Sequence, residues 1–454
     1  MSATSDLIKF IVDTKYEALS NTVVEAAKKQ TLDILGAAIA GNTYNMSGMV
    51  NIVKGWGGKE ESTIIVFGGK VPAPNAALLN GILASRIDYD DTHLLDWCHP
   101  SKATIPTAFA VAERKGKVTG KDFITAITLG VDLQCRIARA RTFRVMPDGA
   151  YVAVFGAAAV AGKLSGFDEK QMANTMGHAY ELIPGGAGGS GAGAFPTKGL
   201  NAGLSCSAGI TAALLAEKGY TADGEGSLEG PAGLYRSLNQ GYFQPILMVD
   251  GLGKDFRGVT DSQKVYPCSH ALANSVEAAI NVTKENNIQP GDINEVIVHI
   301  GPFYASFFRE GRGIPKTVIA AETSGAFLVA SAIVHRELGL GNFTEEEIKD
   351  AKILELSGKK VKAKVEPDLG GAGGVRVDDP VIVEVKTTKG VYSKRVDHAL
   401  GSPERPMAFD DVVAKFRNCC KYSQIPKKNQ DAVIKMVKGL EDITDVAEII
   451  RLLA

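Results

Sequence analysis

Residues 75–113 read NAALLNGILASRIDYDDTHLLDWCHPSKATIPTAFAVAE. Apolar and small residues recur at helical spacing over 75–87 and again over 102–116, which predicts two helices. Between them lies a polar segment in which Asp88, Asp91, Thr92 and His99 fall within twelve positions. If the first helix persists, Asp88, Asp91 and Thr92 stand at i, i+3 and i+4 on one face. His99 directly precedes Pro100-Ser101. Such a set suits a histidine base oriented by carboxylates. A polar loop is the plain alternative. A metal site would want a helical ligand pair such as H-x-x-x-H, which is not present here.

Working outward, the first half continues as small-residue helices. LSNTVVEAAKKQTLDILGAAIAG (19–41) carries a possible capping box from Thr22 to Glu25. Residues 120–140, 153–166 and 203–219 are further helical stretches rich in Ala and Gly. The chain has 50 glycines, above the usual share of about 7 %, clustered rather than periodic. That predicts close helix approaches around a buried centre. STIIVFGG (62–69) is a short β-like piece. Beyond about residue 250 the pattern changes. INEVIVHIG (293–301) and VIVEVKT (381–387) read as strands, 320–338 as a helix, and 344–361 as a helix with an acidic start. After the loop GSPERPM (401–407) the chain turns helical again. The expected fold is therefore mainly α: a discontinuous helical domain (1–255 and 402–454) with a smaller α+β lid domain (256–401).

Composition excludes several function classes. The 454 residues are 45 % hydrophobic and 22 % charged, with a net charge of −1. No global field favours nucleic acid or a membrane surface. The N-terminus lacks a signal-peptide pattern, and no apolar run approaches the ~20 residues needed to span a bilayer. A cytoplasmic protein is expected. The six cysteines form no C-x-x-C pair, and most sit in apolar helical context, as small hydrophobes do. No metal and no cofactor are expected.

Two further stretches carry chemistry. GGAGGSGAGAFPTKGLNAG (185–203) contains a formal G-x-G-x-x-G, but no strand precedes it, so a dinucleotide fingerprint is a poor reading. A loop that brings Lys198 to a carboxylate near a helix N-terminus is a better one. KVYPCSHALANSVEAAI (264–280) opens with Lys264 and His270 beside a helix start. There His270 could be a cap or core residue as well as a functional one.

These segments together resemble the MmgE/PrpD family, in which an Asn-Gly helix runs into a D-[FY]-D-D-T segment and then His-Pro-Ser. The resemblance extends through GAAAVAGKLSGFDEKQ (156–171), PTKGLNAG, LEGPAGL (228–234), KVYPCSHALANSVEAA, SGAFLVASAIV (324–334) and GSPERPMAFDDVVAKF. It implies a helical domain with an α+β lid, usually a homodimer, acting without a metal on small di- or tricarboxylates. Activities in the family include 2-methylcitrate dehydratase, cis-aconitate decarboxylase and iminodisuccinate epimerase. It also implies active-site roles for Asp88, Thr92, His99 and Lys198, with Asp91, Ser101, Met146, Lys264, His270 and Phe327 as candidates for substrate contact. Where dehydrating or decarboxylating members carry His-Pro-Thr-Gly, this chain has Met146-Pro147-Asp148-Gly149. A lid tyrosine is Phe327, and a histidine after the lysine segment is Asn201.

The resulting expectation is a cofactor-independent enzyme that moves a proton α to a carboxylate. His99 would be base or acid, Asp88 its orienting carboxylate, Lys198 the group that neutralises a substrate carboxylate, and Thr92 a hydrogen-bond partner of a substrate oxygen. A 2-methylcitrate-dehydratase-like lyase comes first and an epimerase second, and Met146 argues against decarboxylation of cis-aconitate. A relative that binds carboxylates without chemistry is the rival from another class.

Overall fold

A computed structural model describes residues 2–142, 150–184, 198–370 and 379–454. The helical body is built from α1 (Ala3–Asp13), α2 (Asn21–Ala40), α3 (Ser47–Gly55), α4 (Ala73–Ser85), α5 (Ser101–Lys115), α6 (Gly120–Arg139), α7 (Ala150–Ser165), α8 (Glu169–Glu181) and α9 (Leu200–Glu217). A two-residue ribbon, β1 (Ser62–Thr63) with β2 (Lys70–Val71), flanks α4. The side chain of Ser20, not Thr22, caps α2 by accepting from the Val23 amide. The expected box at Thr22–Glu25 therefore lies within the first turn, two residues past the cap, because Ser20 is the last residue with extended backbone.

Helix α4 is buried on all sides, as expected for a helix that is apolar all round. It meets α9 through glycines: a Cβ on Gly203 would stand 2.2 Å from the Leu78 carbonyl oxygen, and one on Gly81 2.6 Å from Cys206 Sγ. The two backbones are thus in near contact, and neither position has room for a side chain.

The lid contains a four-stranded sheet in the order β4-β3-β5-β6, from β3 (Ile293–Ile300), β4 (Val361–Val365), β5 (Val381–Thr387) and β6 (Gly390–Val396). β3 runs parallel to β4 and antiparallel to β5. Helix α10 (Ala273–Glu285) packs on β5 and β6, and α11 (Gly325–His335) packs on α10. The lid has its own core, which includes Leu272, Val298, Phe327 and Val383. β4 and β6 were not foreseen: β4 carries lysines on alternate residues, β6 carries Lys394 and Arg395 side by side, and each buries only one residue. Nor is 344–361 one helix. It breaks into turns at Glu347–Lys349, Ala351–Glu355 and Leu356–Lys360 before β4 begins.

The chain then returns to the first body. Val412 and Phe416 of α12 (Phe409–Cys420) and Val433 of α13 (Lys427–Lys438) share one core with Leu32, Leu79 and Phe109. Asp33 of α2 and Lys415 of α12 form a buried ion pair at 2.8 Å, and Lys415 Nζ also donates to the Tyr89 carbonyl at 2.8 Å. The return helix thereby holds the backbone of the polar segment. No helix among the described residues is long and apolar enough to cross a membrane.

Candidate active site

Helix α4 ends at Ser85, and Asp88 takes a left-handed backbone with φ of 51°. The anticipated i, i+3, i+4 face therefore does not form, because the chain turns before Asp91 and Thr92. A left-handed non-glycine residue is costly and persists only where its surroundings fix it. Here the fixing groups are lysines. Lys264 Nζ donates to Asp88 Oδ1 at 2.5 Å and to the Asp88 carbonyl at 3.0 Å, and Lys198 Nζ lies 2.9 Å from Asp88 Oδ2. Lys198 is delivered by Gly199, the left-handed residue that caps α9, and its carbonyl accepts from Arg86 at 3.1 Å. Burial alone would raise the Asp88 carboxyl, but the ammonium groups of Lys198 and Lys264 outweigh it and hold it well below the usual range.

His99 sits at the entry to α5. Its Nδ1 is 2.7 Å from the Asp91 carbonyl oxygen, 3.2 Å from Thr92 Oγ1 and 3.2 Å from Asp90 Oδ2. A carbonyl only accepts, so these partners assign the proton to Nδ1 and leave Nε2 as the basic nitrogen. The side chain is 25 % exposed, open enough to meet a small molecule. The carboxylate beside it is Asp90, not Asp88. Asp90 is also 3.3 Å from Lys102 Nζ. Burial opposes its charge, yet Lys102, His99 and Lys264 together keep it ionised.

The other candidates fall into three groups. Asp91 and Ser101 are fully buried beneath the site: the Ser101 amide donates to Asp91 Oδ1 at 3.2 Å. Asp91 is hydrogen-bonded to Asp261, whose carboxyl is driven up first by burial and then by the Asp91 charge, so it stays protonated. Thr92 keeps its hydroxyl on His99, and its backbone pairs with Ser262. His270 is buried, and both ring nitrogens lack a hydrogen-bond partner among the described residues. Burial, then the charges of Lys264 and His99, lower it to about 3, so it is neutral. Phe327 is 0 % exposed and belongs to the lid core. It is not gathered with the charged groups. Met146 lies outside the described residues.

Three participants were missed in the sequence. Asp90 stands in the same D-Y-D-D run and Lys102 three residues after His99, so spacing could have suggested both. Glu322 carries no local signal. It reaches in from the lid, with Oε2 2.6 Å from Lys198 Nζ and Oε1 2.9 Å from the Tyr44 hydroxyl.

A separate buried trio, His93, Asp96 and Cys135, brings donor atoms within 4.8 Å of one another. His93 Nδ1 already accepts from the Asp96 amide at 3.3 Å, and Nε2 meets Thr260 Oγ1 at 3.1 Å. A metal ion on this imidazole would have to displace one of those bonds.

The MmgE/PrpD N-terminal domain model matches residues 5–245 and the C-terminal domain model residues 266–442. The chain belongs to the MmgE/PrpD family. Three relatives are similar to it along the whole length. A human protein named cis-aconitate decarboxylase is 26 % identical over 478 residues, covering 100 % of this chain and 94 % of the relative. The mouse protein of that name is 25 % identical, covering 100 % and 93 %. A cis-aconitate decarboxylase-like protein of Aspergillus oryzae is 22 % identical, covering 100 % and 97 %.

Proposed function

We propose that this protein is a lyase that acts on a small di- or tricarboxylate by moving a proton at the carbon α to a carboxylate, without a cofactor. The observation that carries this reading is the His99 imidazole, held through Nδ1 by Asp90 and the Asp91 carbonyl, beside the Asp88–Lys198–Lys264 cluster. Nε2 of His99 removes or delivers the proton. The lysine ammonium groups stabilise the charge that spreads into the substrate carboxylate as the carbanion forms. In a dehydration, such as that of 2-methylcitrate, His99 takes the α proton and hydroxide leaves from the neighbouring carbon. Whole-length similarity to proteins named cis-aconitate decarboxylase supports a second reading: CO₂ leaves first, and His99 in its imidazolium form protonates the resulting carbanion. The same site would epimerise a substrate if reprotonation came from the opposite face.

Proton NMR in D₂O with a panel that includes 2-methylcitrate, cis-aconitate and C4 dicarboxylates separates these outcomes. Turnover with deuterium at the carbon α to a carboxylate is expected for one of them, and the product identifies the bond broken. Binding with neither turnover nor exchange across the panel would leave a carboxylate-binding relative and sink the enzymatic reading.

A further inference from the structure

The lysines at the site are already matched by carboxylates among the described residues. Lys102, Lys198 and Lys264 face Asp88, Asp90 and Glu322, and each lysine has a carboxylate within 3.3 Å. An arriving anion meets no unshared lysine. Of the three carboxylates, only Glu322 comes from the lid. Its carbonyl accepts from the Ser269 amide at 3.0 Å, which fixes the backbone there. Its side chain accepts hydrogen bonds from the Lys198 ammonium and the Tyr44 hydroxyl. Those are the donors a substrate carboxylate would use. We propose that Glu322 is a specificity residue that occupies the substrate carboxylate's place on Lys198, so that a ligand carboxylate binds there only as Glu322 takes up a proton from solvent. The proposal rests on the reading in which Lys198 binds a substrate carboxylate.

Other groups around Glu322 are poorly suited to take that proton. Asp88 is held ionised by two lysines. The Tyr44 hydroxyl is already protonated and is pushed further up, first by burial and then by the Glu322 charge. Arg86 stacks on the Tyr44 ring at 4.9 Å and stays cationic. The Cys268 thiol, on the lid side, is pushed up by burial and remains neutral. Glu322 itself is raised to about 7, burial outweighing the opposing pull of Lys198. It is therefore charged at pH 8 and can be neutralised near neutrality. Protonated, it frees one side of the Lys198 ammonium while Asp88 keeps the other. Ligand affinity must then fall as pH rises above 7, because each binding event carries a proton.

Calorimetric titration of the full-length protein tests this, with cis-aconitate and maleate as probes in buffers of low and high ionisation enthalpy. At pH 8 the wild type should take up about one proton per ligand more than Glu322→Gln. Glu322→Gln should bind both probes at least tenfold more tightly than wild type at pH 8, and the ratio should shrink below threefold by pH 6. Tyr44→Phe, which removes a donor to the charged carboxylate, should shift the uptake curve to higher pH, and it supplies the same readout should Glu322→Gln lose its near-ultraviolet circular dichroism. Equal proton counts and equal affinities in wild type and Glu322→Gln, or an unmoved curve in Tyr44→Phe, would overturn the proposal and leave Glu322 a structural strut. Lys198→Ala is the separate control. If it binds both probes as wild type does, the carboxylate reading of Lys198 fails and this proposal falls with it, whatever Glu322→Gln shows.

Discussion

At the scale of single residues, the two aspartates two positions apart have different work. Asp90 holds His99, whereas Asp88 gathers Lys198 and Lys264. Asp90→Asn should lower kcat about 10–10²-fold with little change in KM, since it weakens the charge that steadies an imidazolium. Asp88→Asn should mainly raise KM by loosening both lysines. His99→Gln should lose the whole proton-transfer contribution, about 10²–10⁴ in rate. Steady-state kinetics on the substrate identified by NMR checks all three, and a larger kcat loss in Asp88→Asn at unchanged KM would reverse the assignment. In the sequence, His99, Asp88, Thr92 and Lys198 could be singled out because polar side chains between apolar helices need a reason to be there. Which aspartate served His99 was not legible, because that depends on the left-handed turn at Asp88. Glu322 and Tyr44 were hidden for a simpler reason: each stands far along the chain from Lys198, and only folding of the lid brings them together.

Helices and strands show the same division between local and distant causes. The apolar helices α4, α5, α6 and α9 were legible, since their small residues admit little else. The segment 344–361 is not one helix, although its acidic start favours one: short turns fill it, and its last residue, Val361, begins the pairing with β3. The contact of α4 with α9 sets where Lys198 stands relative to Asp88, since one residue follows the end of α4 and the other precedes α9. Gly203→Ala should destabilise by about 1–3 kcal/mol, because the new methyl overlaps backbone rather than a movable side chain. It should also lower kcat/KM by displacing Lys198. Gly48→Ala, where nothing lies within 4 Å, should instead be neutral or stabilising by up to about 1 kcal/mol. Urea denaturation of both variants makes the comparison, and equal effects would mean that the α4–α9 contact is looser than described.

Over the whole molecule, the discontinuous body depends on the pair of Asp33 and Lys415. Burial raises the Asp33 carboxyl to about 6 against the pull of Lys415. A raised acid contributes its stability fully below the unfolded value near 4 and loses it as pH rises through 6. The stability of wild type minus that of Asp33→Asn should therefore fall by roughly 1–3 kcal/mol between pH 4 and 7. A difference that rises over that range would contradict the assignment. Lys415→Met should cost about 3–5 kcal/mol, because it leaves a buried carboxylate unpaired, and the double variant with Asp33→Asn should recover much of the loss. Lys415 also grips the Tyr89 carbonyl, and 326 positions separate the two along the chain. At roughly 5–20 residues per second, a ribosome emits Tyr89 some 16 to 65 s before Lys415. For that interval the nascent helical half lacks α12, and the face of α2 that α12 covers is bare. Activity should therefore appear only after the return segment has emerged. A ribosome stalled before residue 409 would carry a half-built, chaperone-dependent protein rather than a working domain.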